Sequence, residues 1–574
     1  MKAISKTSKY VYLVLFILVL LFIFFTMDYN DGIVNSRIGY IICRSIFKGK
    51  FGRYFNSLNW LYGITIYFIY AIWSVPLVII DLITGRKRDF QVDRSTILWY
   101  KILLLLFFLW CCYWVYRIVL QLLKDKEQSQ LIVVLVATSP LFIFPPFALT
   151  QCDVISLSFI LAGIYYLIQK KDKQFILFFA IAITMKYLAL FIFIPLFFYR
   201  YKKARQMMIV GVSAASFLII SIIFMSFSKA FRYSLDNPAF YDVMAQIDTF
   251  LSGSTLTLGI GTSSIIVLYY VAICIVAHFL KPIDKSTYQG WILWLCLAGW
   301  YTLFIFFGAQ TYWYILIVPF IVLIILNGRE HLAFGLFAEI ILTNVLLLER
   351  VCNQCWVMGN GDTFSRLMLR DVATGHSPIL KVLFDRITNN GFTRFGPVYG
   401  SIILVFAFAL LVIYRPKKNE NEKTISTKPL KIAAWVQLVV LIFWVSMLIW
   451  GEVRLTKGET YTIYDCSYTE GIVIDRDTAS IKKNETIDYR SNYMYKGMYE
   501  LIVDATNMDS DSLAISYYYN EDIPIEYEIV EQTEEYMKVK FYLEEFRDFI
   551  NIKITNSGKD DILFTSYTIS EKLY

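Results

Sequence analysis

What most constrains this chain is a recurrence of apolar runs, each roughly 17 to 25 residues long, between Tyr10 and Trp450. A helix of that length matches the hydrocarbon core of a bilayer. In lipid every backbone donor and acceptor must be satisfied within the protein, which leaves helices or a closed barrel. Full crossings are expected near 10–26, 98–122, 131–149, 154–169, 208–228, 258–280, 291–308, 312–327, 332–348, 398–414 and 432–450. With 57% hydrophobic residues in 574, the chain carries more apolar surface than a soluble core needs. The first run follows Lys2, Lys6 and Lys9 and has no small-residue cleavage site after it. It reads as an uncleaved helix with a cytoplasmic N-terminus, and the odd number of crossings puts the C-terminus outside.

Two further apolar stretches, 60–83 and 174–198, each admit two readings. The second lies between basic turns, Lys170-Lys171-Asp172-Lys173 before it and Arg200-Tyr201-Lys202-Lys203-Ala204-Arg205 after it. If both turns are cytoplasmic, the stretch enters and returns as a hairpin with Lys186 near its tip. Otherwise it is one plain crossing. Stretch 60–83 is a crossing if the charge bias of Arg86, Lys87, Arg88 and Arg94 decides. If both stretches crossed, Asp153 would lie on the cytoplasmic side.

Charge divides the chain. Residues 452–574 hold 13 basic and 25 acidic residues, a net of −12, against +20 for residues 1–451. A basic membrane body therefore carries an acidic, water-soluble tail. The tail is expected to be all β: segments 499–505, 513–519, 525–530, 536–543, 549–555 and 562–569 are short, partly alternating, and separated by turn signals. Such strands suggest a sandwich or jelly roll. The domain reading is a polytopic membrane domain over 1–451, with long outer loops at 27–97 and 349–397, and an extracytoplasmic β domain over 452–574.

Nine cysteines form no disulfide framework, and Cys352 and Cys355 make a lone C-x-x-C without a second pair. Three histidines, His278, His331 and His376, are too few and too scattered for a histidine metal site. No phosphate-binding glycine loop, dinucleotide fingerprint, Ser-His-Asp order or nucleic-acid motif is present.

The ionisable residues inside apolar context carry the functional signal, because a charge at membrane depth is costly. Between Thr138 and Arg205 the chain runs through Pro140, Pro145 and Pro146, then Gln151-Cys152-Asp153, an apolar run, a basic turn, and a second run interrupted by Lys186. Taken alone, Asp153 could cap the helix that follows it, and Lys186 could snorkel to an interface. Asp28 and Asp31 lie at the exit of the first helix, where interfacial acids are common. Glu339 and Arg117, inside other apolar runs, form either a buried pair or part of a cavity wall.

The order of these residues resembles the membrane glycosyltransferases of the GT-C class, which take sugars from polyprenyl-phosphate carriers. The likeness is greatest to the glucosyl- and mannosyltransferases of N-glycan and GPI-anchor assembly and their bacterial relatives. It covers residues 10–205 well and 300–325 loosely. It implies a GT-C-like body of about eleven to thirteen transmembrane helices, with stretch 60–83 lying near the surface in the first outer loop. It implies a catalytic aspartate directly after the first helix, with Asp31 as general base and Asp28 second, followed by the cluster Tyr54-Phe55-Asn56. It implies that Gln151 and Asp153 position sugar or acceptor and that Lys186 binds the carrier phosphate. Relatives often carry a histidine motif where this chain has Gln310-Thr311-Tyr312-Trp313-Tyr314. Gln310 and Tyr312 could hydrogen-bond substrate there, and an aromatic membrane belt explains the segment equally well. Arg37, Arg44, Lys48, Lys50, Arg53, Arg232 and Arg350 add positive charge on the same expected side.

The expected activity is inverting transfer of a sugar from a polyprenyl-phosphate donor to an extracytoplasmic cell-envelope glycan or lipid-linked acceptor. Some members of the class use a divalent cation and others do not, so the cofactor stays open. The expected partners are the donor, the acceptor and the bilayer, with no nucleic acid. The expected location is a bacterial plasma membrane. The rival reading is a flippase, exporter or polymerase of lipid-linked glycans; a transporter should show internal repeats, and none is visible.

Overall fold

The apolar runs fold as helices, and their lengths sort them. In the computed structural model the described residues are 2–572 apart from 28–29, 56–62, 87–93, 230–231, 233–254, 259–260, 305–310, 354–392, 419–424, 456–458, 476, 491–496, 520 and 544–549. Among them, Ser8–Thr26, Ser95–Leu123, Ala204–Ser226, Arg329–Leu347 and Thr427–Ser446 are long and apolar enough to cross a membrane. Two bent pairs are long and apolar enough together to form a broken span or a re-entrant loop: Ile64–Trp73 with Val75–Thr84, bent by 51°, and Lys126–Thr138 with Pro140–Phe147, bent by 56°. Proline in the first turn of the second arm explains each break, since its ring cannot continue the preceding helix. Shorter apolar helices accompany them, among them Asp153–Ile168, Tyr187–Arg200 and Ile265–Phe279. The chain is a multi-pass membrane protein. The run expected to cross at 258–280 starts differently: Thr255–Leu258 and Gly261–Ser264 pair as an antiparallel hairpin, and the helix begins only at Ile265. The long loop at 349–397 falls mostly outside the described residues.

Two compact units divide the chain. One comprises Met1–Phe24, Asp28–Val357 and Ile387–Trp444; the other comprises Phe25–Met27, Met358–Arg386 and Val445–Tyr574.

Within the helical unit the basic turns gather at one end. Lys431 and Lys9 approach Glu127 at 3.0 and 3.9 Å. The Gln128 amide donates to Ile425 O, and Arg329 Nη2 donates to Leu122 O. Tyr414 donates to His331 O, and Asn327 Nδ2 to Gly290 O. The Tyr288 hydroxyl donates to Leu167 O while Tyr199 donates to Tyr288 O. These bonds bring residues 9, 122–128, 167–172, 199–202, 285–290, 327–331, 414–418 and 425–431 to one face. Helix Asp153–Ile168 has 16 residues, so Asp153 stands about 20 Å from that face.

The stretch 174–198 is a hairpin. Helix Asp172–Met185 runs away from the basic face, breaks at Lys186, and returns through a 3-10 turn, Tyr187–Ala189, and helix Leu190–Arg200. Arg200 then meets Asp172 again, donating from Nε and Nη2 to its two carboxylate oxygens. Each arm rises about 20 Å, short of the hydrocarbon thickness. The arms of Ile64–Thr84 are ten residues each, about 15 Å. Their ring and polar contacts go to Trp99, Tyr100, Tyr40 and Thr184, away from the basic face.

The C-terminal unit is a sandwich of two antiparallel sheets. One has the order Glu521–Pro524, Leu513–Tyr519, Asn551–Thr555, Thr486–Arg490, Ser467–Tyr468. The other has the order Tyr527–Gln532, Tyr536–Leu543, Gly497–Thr506, Ile562–Lys572, Thr478–Ile481, Val473–Asp475, with Glu459–Thr462 added beside Ile562–Lys572. Alternation decides the faces: Met537, Val539, Phe541 and Leu543 are buried while Tyr536, Lys538 and Lys540 are not. Isoleucines 487, 515, 552 and 554 of the first sheet share one core with Leu501, Val503 and Phe564 of the second.

Candidate functional site

The turn between helices Pro140–Phe147 and Asp153–Ile168 is held by its own backbone, with Ala148 and Leu149 N–H donating to Phe144 O and Gln151 N–H to Pro145 O. Thr150 takes φ +51°, a left-handed conformation that is strained for a β-branched residue. Gln151 and Asp153 are fully buried behind it. Asp153 is the first helical residue, and no backbone N–H among the described residues donates to its carboxylate. It is therefore not the helix cap that the sequence alone also allowed. Oδ1 instead accepts from Lys186 Nζ, and Oδ2 has no hydrogen-bond partner among the described residues.

Lys186 is buried at the hairpin break in extended backbone, so its ammonium does not snorkel to an interface. The Trp313 ring covers it, with Nζ 4.7 Å from the ring centroid, a cation–π contact in a dry setting. The tip is anchored on its other side by the Gly63 N–H, which donates to Met185 O, and by a 2.8 Å bond between the Thr65 and Thr184 hydroxyls. A β-carbon at position 63 would overlap Thr184 O, so only glycine permits this approach.

Helix Asn30–Phe47 closes over the turn. Gly32 sits against Thr150 and Gly39 against Tyr70, each where a β-carbon would overlap its neighbour. Asn35 lies between them on the same face, by i, i+3 and i+4 spacing. Its side-chain amide is buried and has no partner among the described residues at either oxygen or nitrogen. The Thr150 and Tyr70 hydroxyls are likewise buried without hydrogen-bond partners among the described residues, and Tyr70 interacts electrostatically with Asp153. Buried polar atoms without partners cost about 1–3 kcal/mol each and are rare in folded proteins. A group of three residues carrying them, Asn35, Thr150 and Tyr70, near one buried ion pair, has the donors and acceptors to recognise a polyol.

Asp31 lies in the first turn of this helix, one residue from Gly32, so its backbone is adjacent to Thr150. Its side chain is outside the described residues, as are Asp28 and Gln310 entirely. Tyr312 belongs to the 3-10 segment Thr311–Leu316 with its side chain undescribed. In that segment the described contact to Lys186 is made by Trp313, which the sequence marks no more strongly than its aromatic neighbours. Asn35, Thr150 and Tyr70 carried no sequence signal of their own.

Other charges at membrane depth find separate partners. Lys101, fully buried, donates to Phe24 O in the last turn of the first helix. Asp81 accepts from the Tyr40 hydroxyl at 2.6 Å. Each is a lone charge in an apolar run, the signal that had singled out Lys186. Arg117 and Glu339 do not pair. Arg117 donates to the Tyr113 and Tyr165 hydroxyls, while Glu339 Oε2 accepts from Gln437 Nε2 at 2.6 Å.

No family model matches the chain, and no curated protein matches it. Among solved structures, the cryo-EM structure of the arabinosyltransferase EmbB from Mycobacterium smegmatis aligns over 83% of this chain, at 11% identity and a TM-score of 0.29. The chain spans 58% of that protein's length. A likeness at that level assigns neither fold nor activity.

Proposed function

We propose that this chain is a membrane glycosyltransferase that takes a sugar from a polyprenyl-phosphate carrier and passes it, with inversion, to a glycan or lipid-linked acceptor. The observation that carries the reading is the buried Lys186–Asp153 pair at the tip of a re-entrant hairpin, beside a turn and a helix whose buried polar atoms lack partners among the described residues. When the anomeric bond breaks, negative charge accumulates on the departing phosphate. An ammonium already fixed in a low-dielectric site stabilises that charge without having to reorganise. Asp153 holds the ammonium in place. Asn35, Thr150, Gln151 and Tyr70 supply hydrogen bonds for sugar or acceptor hydroxyls, with Gln310 and Tyr312 from the segment that bears Trp313. Asp31, on the turn of helix beside Thr150, is the proposed base for the acceptor hydroxyl, and Asp28 is the second choice.

Sidedness follows from charge. If the face that gathers the basic turns is cytoplasmic, as positive-inside bias requires, the site opens to the extracytoplasmic leaflet. The last helix, which starts near Lys431, then delivers residues 452–574 outside.

The test is transfer of radiolabelled sugar by the full-length protein in proteoliposomes, across a panel of polyprenyl-phosphate hexoses and pentoses. The wild type should transfer one of them. Asp31→Asn and Lys186→Met should each lower the rate by about two orders of magnitude or more while still inserting. Wild-type rates in both variants would remove the assignment. Movement of labelled lipid across the bilayer without sugar transfer would replace it with the flippase reading.

A further inference from the structure

The opposite, basic face carries lysines beside an exposed apolar strip. A groove of about 400 Å³ is lined by Thr427, Lys428, Lys431, Ile432, Trp435 and Val436 at the start of the last helix. Its charge is unbalanced. Lys9 and Lys431 share Glu127, and Lys428 is exposed and makes no ion pair among the described residues. Among the described residues, these three cations thus stand against one paired acid, Glu127. Asp125, the neighbouring acid, is turned to its own helix, where it accepts from Gln128 N–H.

The walls of the groove are as informative as its mouth. Trp435 is held edge-on by Tyr12, ring centroids 5.1 Å apart, an amphipathic pair of the kind that sits at headgroup depth. Beside it, Ile432, Val436 and Val439 are exposed by 55%, 41% and 60% and follow one another at i, i+4 and i+7. That spacing makes a continuous apolar strip running from the lysines into the hydrocarbon region.

We propose that this groove binds one anionic phospholipid, its phosphate and headgroup held by Lys428 and Lys431 and an acyl chain lying along Ile432, Val436 and Val439. The excess of cations selects against zwitterionic lipids. The apolar strip and the tryptophan select for a lipid over a soluble phosphate. The site is independent of the sugar-transfer site and remains whatever the chain catalyses.

The experiment is native mass spectrometry of the full-length protein, stripped in detergent and titrated with phosphatidylglycerol, phosphatidylcholine or inorganic phosphate. One phosphatidylglycerol should be retained in preference to phosphatidylcholine. Lys428→Gln, which breaks no ion pair among the described residues, should weaken that retention about fivefold, the effect of one lysine at a membrane surface. Lys428→Arg should restore it, and Lys173→Gln, an exposed lysine outside the groove, should leave it unchanged. Equal retention of both lipids, or unchanged retention in Lys428→Gln, overturns the proposal. Displacement of phosphatidylglycerol by millimolar phosphate overturns the lipid assignment.

Discussion

Asp172 and Arg200 lie 28 residues apart in sequence and form a two-point ion pair, Nε to Oδ1 at 2.8 Å and Nη2 to Oδ2 at 2.9 Å. A straight helix would separate them by about 40 Å. Their contact therefore establishes that the intervening chain turns back, and it puts Lys186 at the turn. Cysteines at 172 and 200, in a background without other cysteines, should be joined by a short bis-maleimide in native membranes. A pair at 172 and 187 should not be. Crosslinking of the second pair, or of neither, would contradict the hairpin.

The Asp153–Lys186 pair should behave as a coupled unit. Removing either partner leaves a buried charge uncompensated, at a cost of about 3–5 kcal/mol. Asp153→Asn and Lys186→Met should each shorten the thermal half-life in detergent markedly. The double variant should be more stable than the sum of the two losses, because neither charge then remains. Strict additivity in this cycle would mean the two side chains do not interact.

Asn35 sets stability against activity. Its amide is buried without partners among the described residues, so Asn35→Leu should stabilise the protein by about 1–3 kcal/mol. If the amide recognises substrate, the same variant should lose transfer. Destabilisation by Asn35→Leu would show that the amide is satisfied, and unchanged transfer would remove it from the site.

Glu339 sits in a chain of polar contacts. Its Oε2 accepts from Gln437, whose Oε1 accepts from Thr138, while Oε1 of Glu339 has no partner among the described residues. Glu339→Gln keeps the shape and removes the cost of a buried charge, so it should leave thermal stability equal or higher. Gln437→Leu strands Glu339, while Thr138 keeps its bond to Val134 O, and should cost about 1–3 kcal/mol. The reverse order of the two half-lives would mean that the carboxylate is ionised and paired.

What the sequence determined by itself was local. Hydropathy over some 20 residues marks a helix that prefers lipid, and alternation over six to eight marks a half-buried strand. The membrane body, the acidic tail and six of its strands were legible for that reason. Strands as short as Ser467–Tyr468 were not, because two residues carry no period. A lone charge in an apolar run was legible as costly, which singled out Asp153 and Lys186, but cost alone names no partner. The tertiary structure decided the partners: Lys186 with Asp153 across 33 residues, Tyr40 with Asp81 across 41, Gln437 with Glu339 across 98. It also decided that Gly32 and Gly39 let one helix close on Thr150 and Tyr70. Those choices depend on which surfaces meet when helices pack, a property of the whole chain's arrangement that no window of neighbouring residues contains.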